Sequence, residues 1–550
     1  MQSRFLILAL CTAATALAQV NSFPKASYFR ETFKRTITKV ELQAPVKLAD
    51  FVVPAADGKK LELSLRSYLD LVMANNTDIA VSRLTVDVAQ NAITRAFGPF
   101  DPLATGRFLA TQSTTPASDQ LQGATTLSTV QQPTTFGYTQ LLSSGTSFTV
   151  GFNTLKSVSN SGFQTFNPTI TSNMSVSFAQ PLIKNRGIYI NRLPITSARS
   201  RLRLTEYSFR DSVLQLMTNA ENAYWDLVQA RDFLAVQEKA LALADAALKR
   251  SELELKLGAM SPLDIFNPQQ NFATAEIGVA QARYLLQQRE DALRKQIGAD
   301  LDPAIRTLPI VLTETADVPA DEPKLDTESQ VQIALSNRPD LKAANQALDV
   351  DDLQIKTFKN TLLPDLSLLG LYTTQGRGGN FYQRGELPDG TTGLIGVIPG
   401  GFPDALSQMF GFGYPIYQFG LQLRLPIRNR SAAADLADSM VAKKRDLLAV
   451  RNVEQIARLN VVQAISQLES AKESVRLSLV ALDFGRKYLE AEQKKYELGT
   501  STIFFVLQAN QALVNAESAV VQNKITYKRS VLNLWRQTGE LLDRRGVAIQ

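Results

Sequence analysis

The chain has 550 residues, no histidine, a single cysteine (Cys11) and a formal net charge of +6. Histidine is the commonest general base and metal ligand, and one cysteine cannot build a disulfide framework, so the composition gives no support to an enzyme, a metal site or a cofactor site. The charge is small for this length, and acidic and basic residues are interleaved along the chain. The composition therefore does not indicate nucleic-acid binding.

The first residues have the plan of a secretory signal peptide. Arg4 precedes an apolar run, and small residues follow up to Ala18. We expect residues 1–18 to be removed together with Cys11, whose lipidation is disfavoured because Leu10 stands where a lipoprotein signal has a small residue. Residues 19–62 are interrupted by prolines and are expected to form an extended arm.

No later run reaches the roughly eighteen apolar residues of a membrane helix. If an exported protein with this sequence crosses a membrane, it must do so as a β-barrel, because only helices and closed barrels satisfy their backbone polar groups in lipid.

A helix is expected over about 63–96, with Asn76 inside it, and strands over about 103–182. Met174, Val176 and Phe178 alternate with polar residues, as in a half-buried strand. We expect this strand to pair with 103–111. A further hairpin over 136–152 lies either in the sheet or in a loop above it.

Apolar side chains then recur every seven residues between Ser208 and Gly258, which is the spacing of a coiled-coil seam. Gly258 suits a left-handed helix stop, and Ser261 is expected to cap the next helix. The seven-residue spacing resumes from Ile265 to Leu293. These features predict a long antiparallel helical hairpin.

The same plan returns 241 residues later, so the chain is a tandem repeat. The first repeat covers 63–298, a proline-rich linker covers 299–328, and the second repeat covers 329–541. The second repeat is expected to contain a helix over about 329–359, strands over about 365–427 and a hairpin with its tip near 499–502. The tail, 542–550, has no pattern and is expected to be disordered.

The fold class is therefore mainly α, with β-strand pairs. Strands of about ten residues can span a bilayer, but a membrane barrel needs at least about eight of them. Four predicted strands per chain do not close. Three chains would supply twelve strands and gather twelve long helices into a tube.

In this order the features resemble the TolC-like outer-membrane efflux proteins, also called the outer membrane factor family. The resemblance covers about 63–541 and rests on the signal peptide, the duplicated plan and four short motifs. These motifs are Asn75-Asn76-Thr77-Asp78, Asn337-Arg338-Pro339-Asp340, Gln180-Pro181-Leu182 and Leu257-Gly258-x-x-Ser261-x-x-Asp264.

The resemblance implies a homotrimer in the outer membrane, in contact with its lipid. A twelve-stranded barrel would continue into an α-helical tunnel in the periplasm. Such a channel carries solutes passively in a tripartite efflux or type I secretion system. It receives them from an inner-membrane pump through a periplasmic adaptor protein that docks on the hairpin tips.

The resemblance also implies a periplasmic gate. Asp264 and Tyr496 match the two residues of the family's latch, whereas Ser501 stands where the family has an arginine. Phe505 and Gln508 stand where paired aspartates ring the opening, so we expect a less cation-selective constriction, sealed partly by Phe505. Alternatively, Asp264 only complements a helix dipole, Tyr496 continues the seam and Phe505 is interhelical core.

The residues of the two tips are candidates for the adaptor contact, the alternative being that they only form turns. They are Gly258, Ala259, Met260, Ser261, Gly499, Thr500, Ser501 and Thr502.

Two rival hypotheses remain open. One is a periplasmic or surface structural coiled-coil protein without a membrane barrel. The other is an adaptor, which the two in-register hairpins disfavour because an adaptor needs only one. Drugs, metals, lipids and proteins all remain candidate cargoes, although the lack of histidine weighs against a dedicated soft-metal role.

Overall fold

The computed structural model describes residues 52–55, 58–116, 125–162, 164–299, 306, 308–319, 325–387 and 392–547. The chain divides into two units, 1–47 and 48–550, and all described residues belong to the second. The predicted signal peptide and most of the predicted arm lie outside the described residues.

The elements up to the end of the first repeat are β1 (Val52–Ala55), β2 (Gly58–Leu63), α1 (Leu65–Asn75), α2 (Thr77–Phe97), β3 (Leu103–Phe108), β4 (Thr111–Pro116), β5 (Thr126–Leu141), β6 (Ser147–Ser159), β7 (Thr169–Pro181), α3 (Ile188–Asn191), α4 (Leu193–Lys256) and α5 (Phe266–Gln296). The remainder are β8 (Ile310–Leu312), α6 (Thr327–Asn337), α7 (Pro339–Thr361), β9 (Asp365–Gly378), β10 (Phe381–Glu386), β11 (Thr392–Ile398), α8 (Phe402–Phe410), β12 (Pro415–Arg424), α9 (Arg430–Glu497), α10 (Ile503–Thr538) and α11 (Leu541–Arg545).

The predicted helix over 63–96 is two helices, which is a correction. The Asn76 side chain accepts hydrogen bonds from the backbone N–H groups of Asp78 and Ile79 at 2.9 and 3.3 Å, so it caps α2 and ends α1. The predicted helix over 329–359 is divided in the same way, between α6 and α7. There Pro339 is the first residue of the second helix, where its missing N–H costs nothing.

Two antiparallel hairpins, α4 with α5 and α9 with α10, dominate the molecule. The helices α4 and α9 contain 64 and 68 residues, so each is about 100 Å long. They exceed the predicted fifty residues because they begin close behind the strands. The seven-residue stripe of α10 is buried along its whole length, at Val506, Leu513, Val520, Tyr527 and Leu534.

Both hairpins turn at a glycine. Gly258 and Gly499 each have a φ of 74°, the left-handed conformation that glycine adopts without strain. The prediction that Ser261 caps the returning helix is wrong. Ser261 instead begins a turn in which its carbonyl accepts the N–H of Asp264 at 3.0 Å, and α5 begins only at Phe266.

The largest buried cluster lies where the arm, the linker and the middle of the hairpins meet. In the predicted linker, β8 pairs in parallel with β2, next to the antiparallel hairpin of β1 and β2. The carboxylate of Glu314 accepts the N–H of Leu65 at 2.8 Å and the hydroxyl of Tyr224. The linker therefore fastens the arm to α4.

The expected disorder of the tail is wrong for its described part. Residues 541–545 form α11, whose Leu541 and Leu542 are buried. Arg545 pairs with the buried carboxylate of Glu221 on α4 and lies 5.0 Å from the ring centroid of Trp535. These contacts hold the end of the chain against both hairpins.

The largest sheet has the order β12-β9-β7-β6-β5-β3, and β4 also pairs with β5. The pairing of β9 with β12 follows the prediction, with Tyr372 opposite Tyr417. The predicted pairing of 103–111 with Met174–Phe178 is wrong, because the long hairpin of β5 and β6 lies between these segments. The segment 136–152 is therefore part of the sheet.

The strands β3 and β4 keep a common register on β5 and form one interrupted edge. The described residues thus give a sheet six positions wide rather than the predicted four. Within the described ranges, no helix is both long enough and apolar enough to cross a bilayer.

Candidate functional site

The large sheet has one apolar face. Residues opposite each other on neighbouring strands point to the same side, and one row across five strands reads Tyr138, Val150, Val176, Tyr372 and Tyr417. Other members of this face are Phe136, Phe148, Phe152, Met174, Phe178, Leu366, Leu368, Phe419, Leu421 and Leu423.

The opposite face is polar. A row three residues away reads Thr135, Asn153, Asn173 and Gln375 across β5, β6, β7 and β9. The Asn153 amide donates to the Asn173 side-chain oxygen at 3.2 Å. A sheet with these two faces suits a boundary between apolar surroundings and water, and it is called the wall below.

Both edges of this wall are open. Within the described chain, β12 pairs only with β9, and β3 and β4 pair only with β5. An edge strand carries a row of unpaired N–H and C=O groups that can pair with another strand. The sheet therefore does not close on itself within one chain.

At the other end of the molecule, the hairpin tips are joined by Tyr496. Its hydroxyl donates a hydrogen bond to the carboxylate of Glu254 on α4. The Arg250 guanidinium lies 4.9 Å from the centroid of the Tyr496 ring and 3.0 Å from a Glu254 carboxylate oxygen. Burial and the hydrogen bond to Glu254 raise the pKa of Tyr496 to about 12.

The structure does not bring Asp264 to Tyr496. Asp264 is exposed in the turn before α5, and its carboxylate makes no hydrogen bond or ion pair among the described residues. The partner of Tyr496 within the described chain is Glu254, which was not among the predicted gate residues. The only available signal was the spacing of Arg250 and Glu254, an i, i+4 charge pair just before Gly258.

Ser501 is engaged within its own hairpin. Its hydroxyl donates to the carboxylate of Glu492 at 3.1 Å, and Lys495 pairs with the same carboxylate at 2.7 Å. The hydrogen bond from Lys495 lowers the pKa of Glu492. Glu492, also missed from the sequence, is thus a nearly buried anion that fixes the second tip.

Phe505 and Gln508 are both exposed, on the same side of α10. Phe505 is 45% exposed and its ring lies edge-on to that of Phe504, with centroids 5.6 Å apart. Within the chain it is therefore not interhelical core. The two positions form an uncharged surface three residues apart on α10.

Most of the predicted tip residues are exposed. They are Gly258, Ala259, Ser261, Gly499, Thr500 and Thr502. Met260 differs, because it packs on an apolar cluster of the second hairpin that includes Ile503 and Leu507. The two tips therefore touch each other and leave small residues open to a partner, beside the exposed Leu257, Leu263 and Leu498.

Three comparisons with known proteins agree with this architecture. The family described as "Outer membrane efflux protein" matches residues 147–299 and 330–540. The chain is 21% identical over 338 residues to the probable efflux pump outer membrane protein TtgC of Pseudomonas putida, covering 61% of this chain and 62% of that protein. It is 22% identical over 374 residues to the outer membrane protein TolC of Vibrio cholerae, covering 66% and 76%.

Solved structures show the same fold. The CmeC outer membrane channel of Campylobacter jejuni gives a TM-score of 0.62 at 15% identity and covers 87% of this chain and 86% of its own. The outer membrane protein VceC of Vibrio cholerae gives 0.59 at 15%, covering 86% and 96%. The family match covers well over half of the sequence. The chain belongs to the outer membrane efflux protein family and is a protein of the outer membrane.

Proposed function

We propose that the chain assembles as a homotrimeric channel that lets solutes leave the cell passively through the outer membrane. The observation that carries this proposal is the large sheet, which is apolar on one face, polar on the other and open at both edges. Copies joined edge to edge turn the apolar faces to lipid and enclose the polar faces around water.

The helices also present surfaces that need a partner copy. Ile277 and Tyr284 are 58% and 70% exposed on α5, and Leu477 and Phe484 are 52% and 63% exposed on α9. Each pair is seven residues apart and forms an apolar stripe along its helix. Adjacent protomers in a ring would bury these exposed apolar side chains.

The number of strands in each sheet determines how many strands a trimeric barrel would contain. Six strand positions from each of three copies give an eighteen-stranded barrel instead of the twelve expected from the sequence. At about 4.8 Å between strands and a tilt of about 40°, eighteen strands have a perimeter of roughly 110 Å. Twelve packed helices at about 9.5 Å spacing also have a perimeter of roughly 110 Å. The wall and the helical tube would match in size.

At the tips, we propose that the hydrogen bond of Tyr496 to Glu254 holds the periplasmic entrance closed. The exposed residues around Gly258 and Gly499 are the proposed contact for a periplasmic adaptor protein and, through it, an inner-membrane pump. The relatives named above as efflux proteins support a role in tripartite efflux. Type I secretion uses the same plan, and the polar face specifies no single cargo.

Cysteine cross-linking tests the assembly. Thr105→Cys on β3 and Gln418→Cys on β12 place single thiols on the polar face of the two open edges. In outer membranes, a short bifunctional thiol reagent should convert the double variant into covalent dimers and trimers, and each single variant should give no ladder.

The extracted protein should have the mass of a trimer and conduct ions in planar bilayers. A soluble monomer with no cross-linking would overturn the proposal and favour the structural coiled-coil protein.

A further inference from the structure

The short helix α8 lies on the wall at the end farthest from the long helices. The Thr374 hydroxyl donates to the backbone carbonyl of Met409 at 2.8 Å, and Thr374, Ala405 and Met409 are fully buried. Since β9 begins at Asp365, directly after α7, Thr374 lies near the distal end of its strand. The helix is therefore fixed to the distal third of the sheet.

The register decides on which face α8 lies. Thr374 is opposite Met174 on β7 and is two residues from Tyr372, so it belongs to the apolar face. Gly376 and Gly378 continue this face, and a Cβ atom at either would lie 2.0 Å from a backbone carbonyl oxygen, of Ala405 and Gly401 respectively. The two glycines allow α8 to press directly on the apolar side of the wall.

The helix carries a second apolar stripe beside the buried one. Phe402 and Phe410 are 41% and 57% exposed, and Leu406 lies between them on the same stripe. Asp404 and Ser407 occupy the remaining side, where Asp404 accepts the N–H of Gly401 at 2.6 Å. Phe412 and Tyr414 follow the helix and are exposed as well. The helix thus has an inner apolar side, an exposed aromatic stripe next to it and a polar side.

The part of the apolar face that α8 does not cover is shorter than the apolar band of a membrane barrel. On β9 it runs from Leu366 to Tyr372, which at about 3.3 Å per residue and a tilt of about 40° gives a height of roughly 15 Å. The apolar band of a membrane barrel is about 25 Å high, with aromatic girdles at its limits. The aromatic stripe of α8 begins where this stretch ends, and the contacts of α8 with β9 from Thr374 to Gly378 extend it by about 10 Å, which is the missing height.

We propose that α8 is a lipid-binding interfacial helix, held on the outside of the wall, with Phe402, Phe410, Phe412 and Tyr414 inserted at the boundary between acyl chains and head groups. An amphipathic helix in the interface buries its aromatic side about 5–10 Å into this boundary and keeps its polar side in water. The inference rests on the proposed function, because it requires the sheet to stand in a bilayer.

Tryptophan quenching by brominated phospholipid tests the inference. The full-length Phe410→Trp variant is reconstituted in vesicles of ordinary or acyl-brominated phospholipid, and its emission is compared with that of the unsubstituted chain. The two native tryptophans, Trp225 and Trp535, lie in the helical part and supply a constant background. The added emission should fall about twofold on bromination, since the ring lies within reach of the upper acyl chain.

Two matched variants separate the outcomes. Leu253→Trp, at a position of similar exposure near the first hairpin tip, should not be quenched. Tyr417→Trp on the apolar face of β12 should be quenched if the sheet is in lipid. Quenching at 417 without quenching at 410 overturns the lipid-binding helix and leaves the channel. No quenching at either position overturns the proposed channel itself.

Discussion

The hydroxyl of Tyr496 donates a hydrogen bond to the carboxylate of Glu254, and this contact joins the tip of the second hairpin to the first hairpin within one chain. The Arg250 side chain lies against both partners and orients the carboxylate. A hydrogen bond to a charged group is about twice as strong as a neutral one, yet an adaptor that pulls the tips apart can break it. The contact is therefore the proposed latch of the periplasmic entrance.

Removal of the latch should open the channel. Tyr496→Phe deletes a charge-assisted hydrogen bond that contributes about 1.5–3 kcal/mol, so the open fraction of each protomer should rise about tenfold or more. Glu254→Gln keeps an accepting oxygen but removes the charge, and its effect should be smaller. Single-channel conductance in planar bilayers measures this change, and the double variant should add little to Tyr496→Phe alone.

Asp264→Ala is the matched control, since it removes a tip carboxylate that makes no hydrogen bond or ion pair within the described chain. It should conduct like the unsubstituted protein. A conductance increase for Asp264→Ala alone would show that the closed state depends on a contact of Asp264 with a neighbouring copy.

The latch should also open in alkali. Because the pKa of Tyr496 is raised to about 12, the folded tips favour the protonated phenol, and the resulting stabilisation is complete below pH about 10. As the pH rises from about 10 through about 12, the phenol loses its proton and the latch loses its donor. Conductance should increase over this range. Tyr496→Phe should be open at neutral pH and insensitive to the same change, and an equal alkaline rise in that variant would assign the effect to other groups.

The features that the sequence predicted well are those carried by local periodicity. The seven-residue stripe from Val506 to Leu534 can be recognised from the sequence of one helix alone. The turn at Gly499 can be predicted from the conformation that glycine adopts without strain. The break at Asn76 was readable in principle, because asparagine is a strong N-cap residue. The sequence nevertheless predicts one continuous helix there, because the apolar pattern continues on both sides of Asn76.

The missed features depend on which segments meet in space. The hairpin of β5 and β6 alternates like its neighbours, and nothing local tells whether it enters the sheet between β3 and β7 or lies above it. Glu254 pairs with a residue 242 positions away, and an exposed helix has many glutamates of the same appearance. Tertiary contact selects one of them, and sequence spacing does not.

Charge at the constriction should control ion selectivity. Phe505 and Gln508 give the exposed side of α10 near the tip no charge, so we expect little preference for cations. Gln508→Asp would place one carboxylate per protomer on this surface, and the permeability ratio of K⁺ to Cl⁻ should rise several-fold at low salt. Reversal potentials in a salt gradient measure the ratio, with Gln508→Asn as the uncharged control. An unchanged ratio would mean that position 508 does not face the conducting path.

Substitution of Asn76 should reduce the free energy of unfolding more than substitution of most other residues outside the hydrophobic core. Its oxygen accepts two backbone N–H groups of α2, and its amide donates to the Gln296 side-chain oxygen at 2.9 Å, at a site that is 6% exposed. Asn76→Ala loses all of these bonds and should reduce the free energy of unfolding by about 1–3 kcal/mol.

Asn76→Ser separates the two roles, because serine keeps a capping oxygen and loses the donor to Gln296. It should recover most of the cap stability, whereas Thr77→Ala, at the exposed first residue of α2, should stay within about 0.5 kcal/mol of the unsubstituted protein. Hydrogen exchange at the amides of Asp78 and Ile79 reports the cap directly. These amides should exchange faster in Asn76→Ala than in Asn76→Ser, and equal rates in the two variants would place the stabilisation in the contact with Gln296 instead of the cap.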